Sequence, residues 1–211
     1  EIDKLTEHAK GIGAKGLAYV RWVDDAPACS FAKFMKEEEL SAIYERLGAE
    51  KGDVILIVAD KNSTVLSTLG ALRLKVAKQL DIIPEDQFNF LWITEFPFFE
   101  WNEETQHWDA MHHPFTMPMD ECLEYLDTDP GKVKAKAYDL VLNGVELSSG
   151  SIRITDFELQ QRMFRALGLT DEEIEKKFGF LVDAYRYGAA PHGGMGIGLD
   201  RLAMIMCGAE S

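Results

Sequence analysis

Residues 134–147 carry the tightest constraint in the chain: an Asn143-Gly144 pair set between two alternating apolar runs. A two-residue hairpin turn of type I′ needs positive φ at both central positions, and Asn-Gly tolerates it best, so the segment predicts a β-hairpin. The register follows, with Leu142 opposite Val145 and Val141 opposite Glu146. Side chains alternate faces along a strand. Leu140, Leu142, Val145 and Leu147 then share the core face, and Asp139, Val141 and Glu146 share the other. Asp139 and Glu146 are diagonal cross-strand neighbours there. Two carboxylates so held repel unless a cation sits between them, and hard oxygens suit Mg²⁺, which keeps waters and shares its shell with phosphates. A solvated sheet face with scattered acids is the plainer reading of the same spacing.

The rest of the chain divides in two. In residues 1–80 helical and strand patterns alternate. Ile2, Leu5, Ala9 and Ile12 form one helical stripe. Residues 16–23 read as a strand. Residues 36–47 read as a helix stopped by Gly48. Residues 53–59 read as a buried strand, and Ser63 as the cap of a helix running to about Leu80. Residues 81–86, with Pro84 and several acids, read as a connector. After it, residues 88–96 and 98–101 read as aromatic strands, with a polar turn at 102–106. Two prolines stiffen the loop at 112–118. A further strand is expected at 151–155, then a helix capped by Asp156, helices at 171–177 and 180–187, a glycine-rich strand at 193–198 and a helix at 199–207. The fold class is therefore α+β: a small α+β unit, then antiparallel hairpins with helices packed on them.

Composition narrows the function. The 211 residues carry a formal charge of −14. That excludes a basic nucleic-acid-coating domain and a polybasic membrane anchor, and no DNA partner is expected. No stretch reaches the roughly 18 apolar residues of a membrane helix. Cys29, Cys122 and Cys207 are scattered and odd in number, which argues against a disulfide scaffold and for a reducing cytosol. The start at Glu1 and the stop just past an apolar run suggest a piece of a longer protein.

Two more segments can carry chemistry. In residues 151–155, Ile152 and Ile154 face one way and Ser151, Arg153 and Thr155 the other. An arginine projecting from such a face can grip a carboxylate bidentately, or merely neutralise Glu146 or Asp139. In Gly194-Met-Gly-Ile-Gly-Leu-Asp-Arg201, small residues admit a ligand close to the backbone, and the following helix offers free N–H groups. Arg201 sits in the first turn, where the helix dipole disfavours a cation. That placement calls for an anion, an aromatic ring to stack on, or a paired acid. His112 and His113 point oppositely in an extended segment, so a shared metal is not expected.

Together these strings resemble bacterial-type aspartyl-tRNA synthetases. The carrying residues are Phe90-Leu-Trp-Ile-Thr-Glu-Phe-Pro97, His112-His-Pro-Phe-Thr-Met-Pro118, Ala137-Tyr-Asp-Leu-Val-Leu-Asn-Gly-Val-Glu146, Gly150-Ser-Ile-Arg153, Lys177-Phe-Gly-Phe180, Tyr187-Gly-Ala-Ala-Pro-His192 and Gly198-Leu-Asp-Arg201. The resemblance implies a GAD insertion domain at 1–86 and the C-terminal part of a class II antiparallel-sheet catalytic domain at 87–211. It implies ATP and Mg²⁺, with L-aspartate and tRNA(Asp) as partners, in a cytoplasmic enzyme that dimerises at full length. By the same resemblance, Gly198, Leu199, Asp200 and Arg201 match motif 3, which clamps ATP. Glu146 matches the acid that holds ATP through Mg²⁺, with Asp139 as its metal-side partner. Arg153 matches the arginine that grips the aspartate side chain. His112 matches the first histidine of the substrate-sensing loop, with His113 in support. Ser148 and Ser149 stand where many relatives carry glycines.

No motif 1 or motif 2 string and no anticodon-binding module occurs in these residues, so the 211-residue piece alone is expected to be inactive. A GAD-type tRNA-binding or scaffold module without catalysis is the alternative for the first unit. An asparagine-forming relative is a third reading, but it needs no GAD insertion.

Overall fold

The computed structural model describes residues 1–23, 26–84 and 86–209. They form two compact units, Glu1–Asp86 and Gln87–Ser211.

In the first unit, α1 (Ile2–Ile12) ends on Gly13 in the left-handed region and leads into β1 (Ala18–Val23). β2 (Ala26–Cys29), α2 (Glu37–Leu47), β3 (Val54–Ile57) and α3 (Asn62–Gln79) follow. The sheet order is β2-β1-β3, all antiparallel. Leu5 and Ala9 of α1 and Leu72 of α3 make the core with Ala14 and Leu17, backed by Leu56 of β3. Tyr44 of α2 meets Trp22 of β1 edge-on, with ring centroids 5.5 Å apart. β2 was not foreseen in the sequence, and α3 starts at Asn62 after Lys61, so Ser63 lies inside the helix rather than capping it. Residue 85 of the expected connector lies outside the described residues.

The second unit opens with β4 (Phe90–Thr94) and a two-stranded ribbon, β5 (Phe99–Asn102) and β6 (His107–Ala110). β7 (Ala137–Leu142) and β8 (Val145–Ile152) are the hairpin. α4 (Phe157–Ala166), α5 (Asp171–Arg186), β9 (Gly193–Ile197) and α6 (Leu199–Met206) complete it. The four-stranded sheet runs β4-β7-β8-β9 and is antiparallel throughout. The core lies beside it, built on Phe98, Phe99, Leu126, Val133, Ile154 and Met163. No helix among the described residues is long and apolar enough to cross a membrane.

The turn is as the sequence demands: Asn143 and Gly144 have φ of 51° and 82°. Leu142 pairs with Val145 and Val141 with Glu146, but the ladder then shifts, and Leu140 faces Ser148. Leu147 is the extra residue of a β-bulge. Four expectations change. The separate strand expected at 151–155 does not form, because β8 runs unbroken to Ile152. Val141 is buried although it shares a face with Asp139. Ile152 is exposed while Ile154 is fully buried, because the chain leaves the strand between them. The two helices expected after residue 171 are one, α5, which runs through Gly179.

Candidate active site

Pairing places one row of side chains on a common sheet face. Ala137, Asp139 and Val141 of β7 alternate to it, and their partners Ser151, Ser149 and Glu146 on β8 follow. Gly194 and Gly196 of β9 lie opposite Ser151 and Ser149. Without the bulge, Glu146 and Ser149 would fall on opposite faces; the extra residue brings both to this one. A cavity of about 670 Å³ opens over the row at its Arg153 end. Its lining includes His112, His113, Ser151, Arg153, Tyr185 and His192.

Arg153 continues β8 and is fixed from both sides. Its N–H donates to His192 O at 3.0 Å, and Thr116 bridges it on the other side. Met117 N–H donates to Ile152 O at 2.8 Å, and Ile154 N–H to Phe115 O at 2.9 Å, so the proline-stiffened loop is stitched along the strand end. Gln160, fully buried on α4, donates from Nε2 to Pro114 O at 2.8 Å and holds the loop from behind. The loop brings His113 against Arg153, with Nδ1 to Nη1 3.3 Å. Burial, then the Arg153 charge, then His112 hold the His113 imidazole below the ordinary 6.5. His112 is exposed at the cavity mouth, edge-on to Phe96 at 5.1 Å. Burial pushes the Tyr185 hydroxyl above its ordinary 10.0, opposed by Arg153.

The other end of the face is open. Arg201 Nη1 donates to Glu146 O at 2.7 Å and lies 3.4 Å from Glu146 Oε1, with the two side chains 53% and 49% exposed. That contact answers the dipole conflict of a first-turn arginine, since a carboxylate and a carbonyl meet its charge. Of the alternatives open in the sequence, the paired acid is the one the structure shows. Gly198 needs no special freedom: its φ is −73°, and it donates to Leu147 O at 2.9 Å to carry β9 into α6. The glycine that matters is Gly150, where a Cβ would run into Gly194 O and meet Tyr138 Cε2 at 2.7 Å.

The residues singled out in the sequence thus fall into two groups on one sheet. His112, His113 and Arg153 share the cavity; Glu146 and Arg201 touch each other. Asp139, Glu146 and Gly198-Leu199-Asp200-Arg201 are not in the cavity lining, and Ser149, Gly150 and Ser151 connect the two groups along β8. Asp139 Oδ1 is buried and has no hydrogen-bond partner. An uncompensated carboxylate oxygen there is costly unless a cation meets it. With Glu146 on the same face, the donor set fits a hard cation completed by phosphate and water oxygens. No group of three or more His, Cys, Asp or Glu suited to a metal occurs among the described residues. Tyr185 and His192 escaped the sequence reading. Tyr185 follows the cavity residue Leu181 by one helical turn on α5.

The family model "tRNA synthetases class II (D, K and N)" matches residues 4–211. Over 212 residues the chain is 57% identical to an aspartate–tRNA ligase of Ruminiclostridium cellulolyticum, covering 100% of this chain and 36% of that protein. It is 54% identical over 211 residues to the aspartate–tRNA ligase of Clostridium beijerinckii, covering 100% of this chain and 35% of that one. Among solved structures, aspartyl tRNA synthetase from Entamoeba histolytica matches 81% of this chain and 28% of its own, at 22% identity and a TM-score of 0.43. The chain spans about a third of the length of the curated relatives it matches. With nearly its whole length matched by one family, the chain belongs to the class II tRNA synthetases of the D, K and N type.

Proposed function

We propose that this chain is part of a cytoplasmic, homodimeric aspartate–tRNA ligase and supplies its aspartate pocket and one wall of its ATP site. Residues 1–86 are its GAD domain, and residues 87–211 the C-terminal part of its catalytic domain. The observation that carries the reading is the cavity at Arg153, a fixed guanidinium beside two imidazoles at one end of an acid-bearing sheet face.

The reaction has two steps. The α-carboxylate of aspartate attacks the α-phosphorus of ATP, forming aspartyl-adenylate and releasing pyrophosphate. A ribose hydroxyl at the 3′ end of tRNA(Asp) then attacks the aspartyl carbonyl, and AMP leaves. Neither step needs a dedicated protein acid or base, so positioning and electrostatics carry the rate. Arg153 grips the side-chain carboxylate of aspartate in a bidentate pair. His112, free at the cavity mouth, meets the substrate's α-amino and carboxylate end. Arg201 leaves Glu146 and stacks on the adenine, and Gly198, Leu199 and Asp200 bring the backbone close to the nucleotide. Asp139 and Glu146 would hold Mg²⁺, which when bound offsets the triphosphate charge that an acidic face would otherwise repel.

These 211 residues carry no motif 2 arginine for the α-phosphate. Aspartate-dependent ATP–pyrophosphate exchange is therefore expected to be absent from the isolated chain and present in a full-length ligase that carries it. There, Glu146→Ala should abolish exchange. Exchange by the isolated chain above its own Glu146→Ala control, or a full-length Glu146→Ala enzyme with unchanged exchange, would overturn the assignment.

A further inference from the structure

Resting on the aspartate-pocket reading, we infer that His113 is a positioning residue: its Nδ1 lone pair holds the Arg153 guanidinium, and the ring is locked as the neutral Nε2–H tautomer.

Two obligate donors and one hydroxyl surround one ring nitrogen. Phe115 N–H donates to His113 Nδ1 at 3.3 Å, Thr116 Oγ1 lies 3.3 Å from it, and Arg153 Nη1 lies 3.3 Å from it. The backbone N–H and the guanidinium cannot accept a hydrogen bond. Both are satisfied at this nitrogen only if Nδ1 carries no proton, which places the ring proton on Nε2. Thr116 is fully buried, and its hydroxyl can turn to donate to the same lone pair. The loop enforces the geometry: Thr116 N–H donates to His113 O at 3.2 Å, and Phe115 and Met117 are tied to the strand end on either side of Arg153. The Phe115 ring lies 5.8 Å from the imidazole, tilted by 37°.

The consequence concerns Arg153. A guanidinium at a pocket floor has several rotamers, and a carboxylate ligand needs its fork aimed outward. By accepting from Nη1, His113 removes that freedom before substrate arrives, leaving the other N–H groups for the ligand. His113 thereby acts on aspartate through Arg153, whereas His112, exposed at the mouth, makes the direct contact. Protonation of the ring would put a hydrogen on Nδ1 and a second cation beside the guanidinium. The depressed imidazole pKa guards against that. The charged and titratable groups that act on the ring are Arg153 on the strand end and His112 on the same loop, and Tyr185 on α5 and His192 before β9 line the same cavity.

Two measurements test this. In the chain itself, ¹⁵N correlation spectra of the histidine rings should show His113 as neutral Nε2–H at neutral pH, with its midpoint rising toward 6.5 in Arg153→Met. An Nδ1–H tautomer, a cationic ring at neutral pH, or a midpoint unmoved by Arg153→Met overturns the lock. In a full-length ligase, His113→Asn places an amide oxygen near the Nδ1 position, while His113→Gln mimics Nε2. The Asn variant should keep the aspartate KM within about threefold, and the Gln variant should raise it about tenfold or more, as expected for a lost hydrogen bond to a charged group. Rescue by Gln and not by Asn would make His113 a direct substrate contact and overturn the proposal. The aspartate-pocket reading fails separately, if Arg153→Lys leaves the aspartate KM unchanged while the ring spectra still report the lock.

Discussion

At one end of the acid-bearing face, Arg153 is held by its backbone on two sides and by an imidazole on its side chain. At the other, Arg201 rests on a neighbouring carbonyl and a half-exposed carboxylate. The chemistry of the two arginines is the same, but the cost of moving them differs. An exposed ion pair contributes about 0–1 kcal/mol, so Arg201 is released cheaply. Losing a part-buried hydrogen bond to a charged group, such as the one from Arg153 to His113, costs about 1.5–3 kcal/mol. Under the aspartate–ATP reading the amino-acid end is preorganised and the nucleotide end adapts. That division suits a small ligand with one side-chain carboxylate to recognise and a large one that brings most of its own charge.

The largest expected effect comes from the strip that joins the ends. In Gly150→Ala, the new methyl meets the Gly194 carbonyl and the Tyr138 ring, and neither is a flexible side-chain tip. Tyr138 also donates to Gly194 O at 3.1 Å, so the clash falls on a hydrogen-bonded crossing. Overpacking of this kind costs about 1–3 kcal/mol, and backbone contact puts this site at the upper end. Denaturant unfolding of the isolated chain should show that loss, with weakened β8–β9 protection in hydrogen exchange. An unchanged midpoint would mean the ends are not mechanically joined through β8.

What the sequence disclosed about the two ends was unequal for a physical reason. The Asn143-Gly144 turn, Asp156 as a cap and Gly48 as a stop are local devices, and each is in place. Asp139 and Glu146 were expected on one face and share it. The bulge at Leu147 was not legible, because a strand's alternation does not reveal an inserted residue whose cost is met by the partner strand. The sequence suggested separate helices at 171–177 and 180–187, but α5 runs through Gly179; packing of Ile174 and Val182 outweighs a propensity penalty of about 1 kcal/mol. The cavity's Tyr185 and His192 were hidden because they converge from α5 and the segment before β9, and no spacing encodes that convergence.

A smaller effect separates the preorganised end from the rest. Asp156 caps α4 by accepting from Leu159 N–H at 2.8 Å, and α4 carries the Gln160 that holds Pro114. Asp156→Ala should cost about 1 kcal/mol of chain stability. In a full-length ligase its kinetic effect should fall on the aspartate KM and spare the ATP KM. Equal effects on both would show that the loop at 112–118 is not held independently.

The smallest effect sharpens the other side of the contrast. Arg201→Met removes both the 2.7 Å bond to Glu146 O and the ion pair to Oε1, yet both side chains are about half in solvent. Water replaces the lost donor at little cost, so unfolding of the isolated chain should shift by no more than about 0.5 kcal/mol. Losing a first-turn cation even relieves a small dipole conflict. If the same substitution in a full-length ligase leaves stability intact but raises the ATP KM with aspartate KM unchanged, then Arg201 is reserved for the nucleotide. If instead the chain loses several kcal/mol, the Glu146–Arg201 contact is structural, and the open end is no more adaptable than the built one.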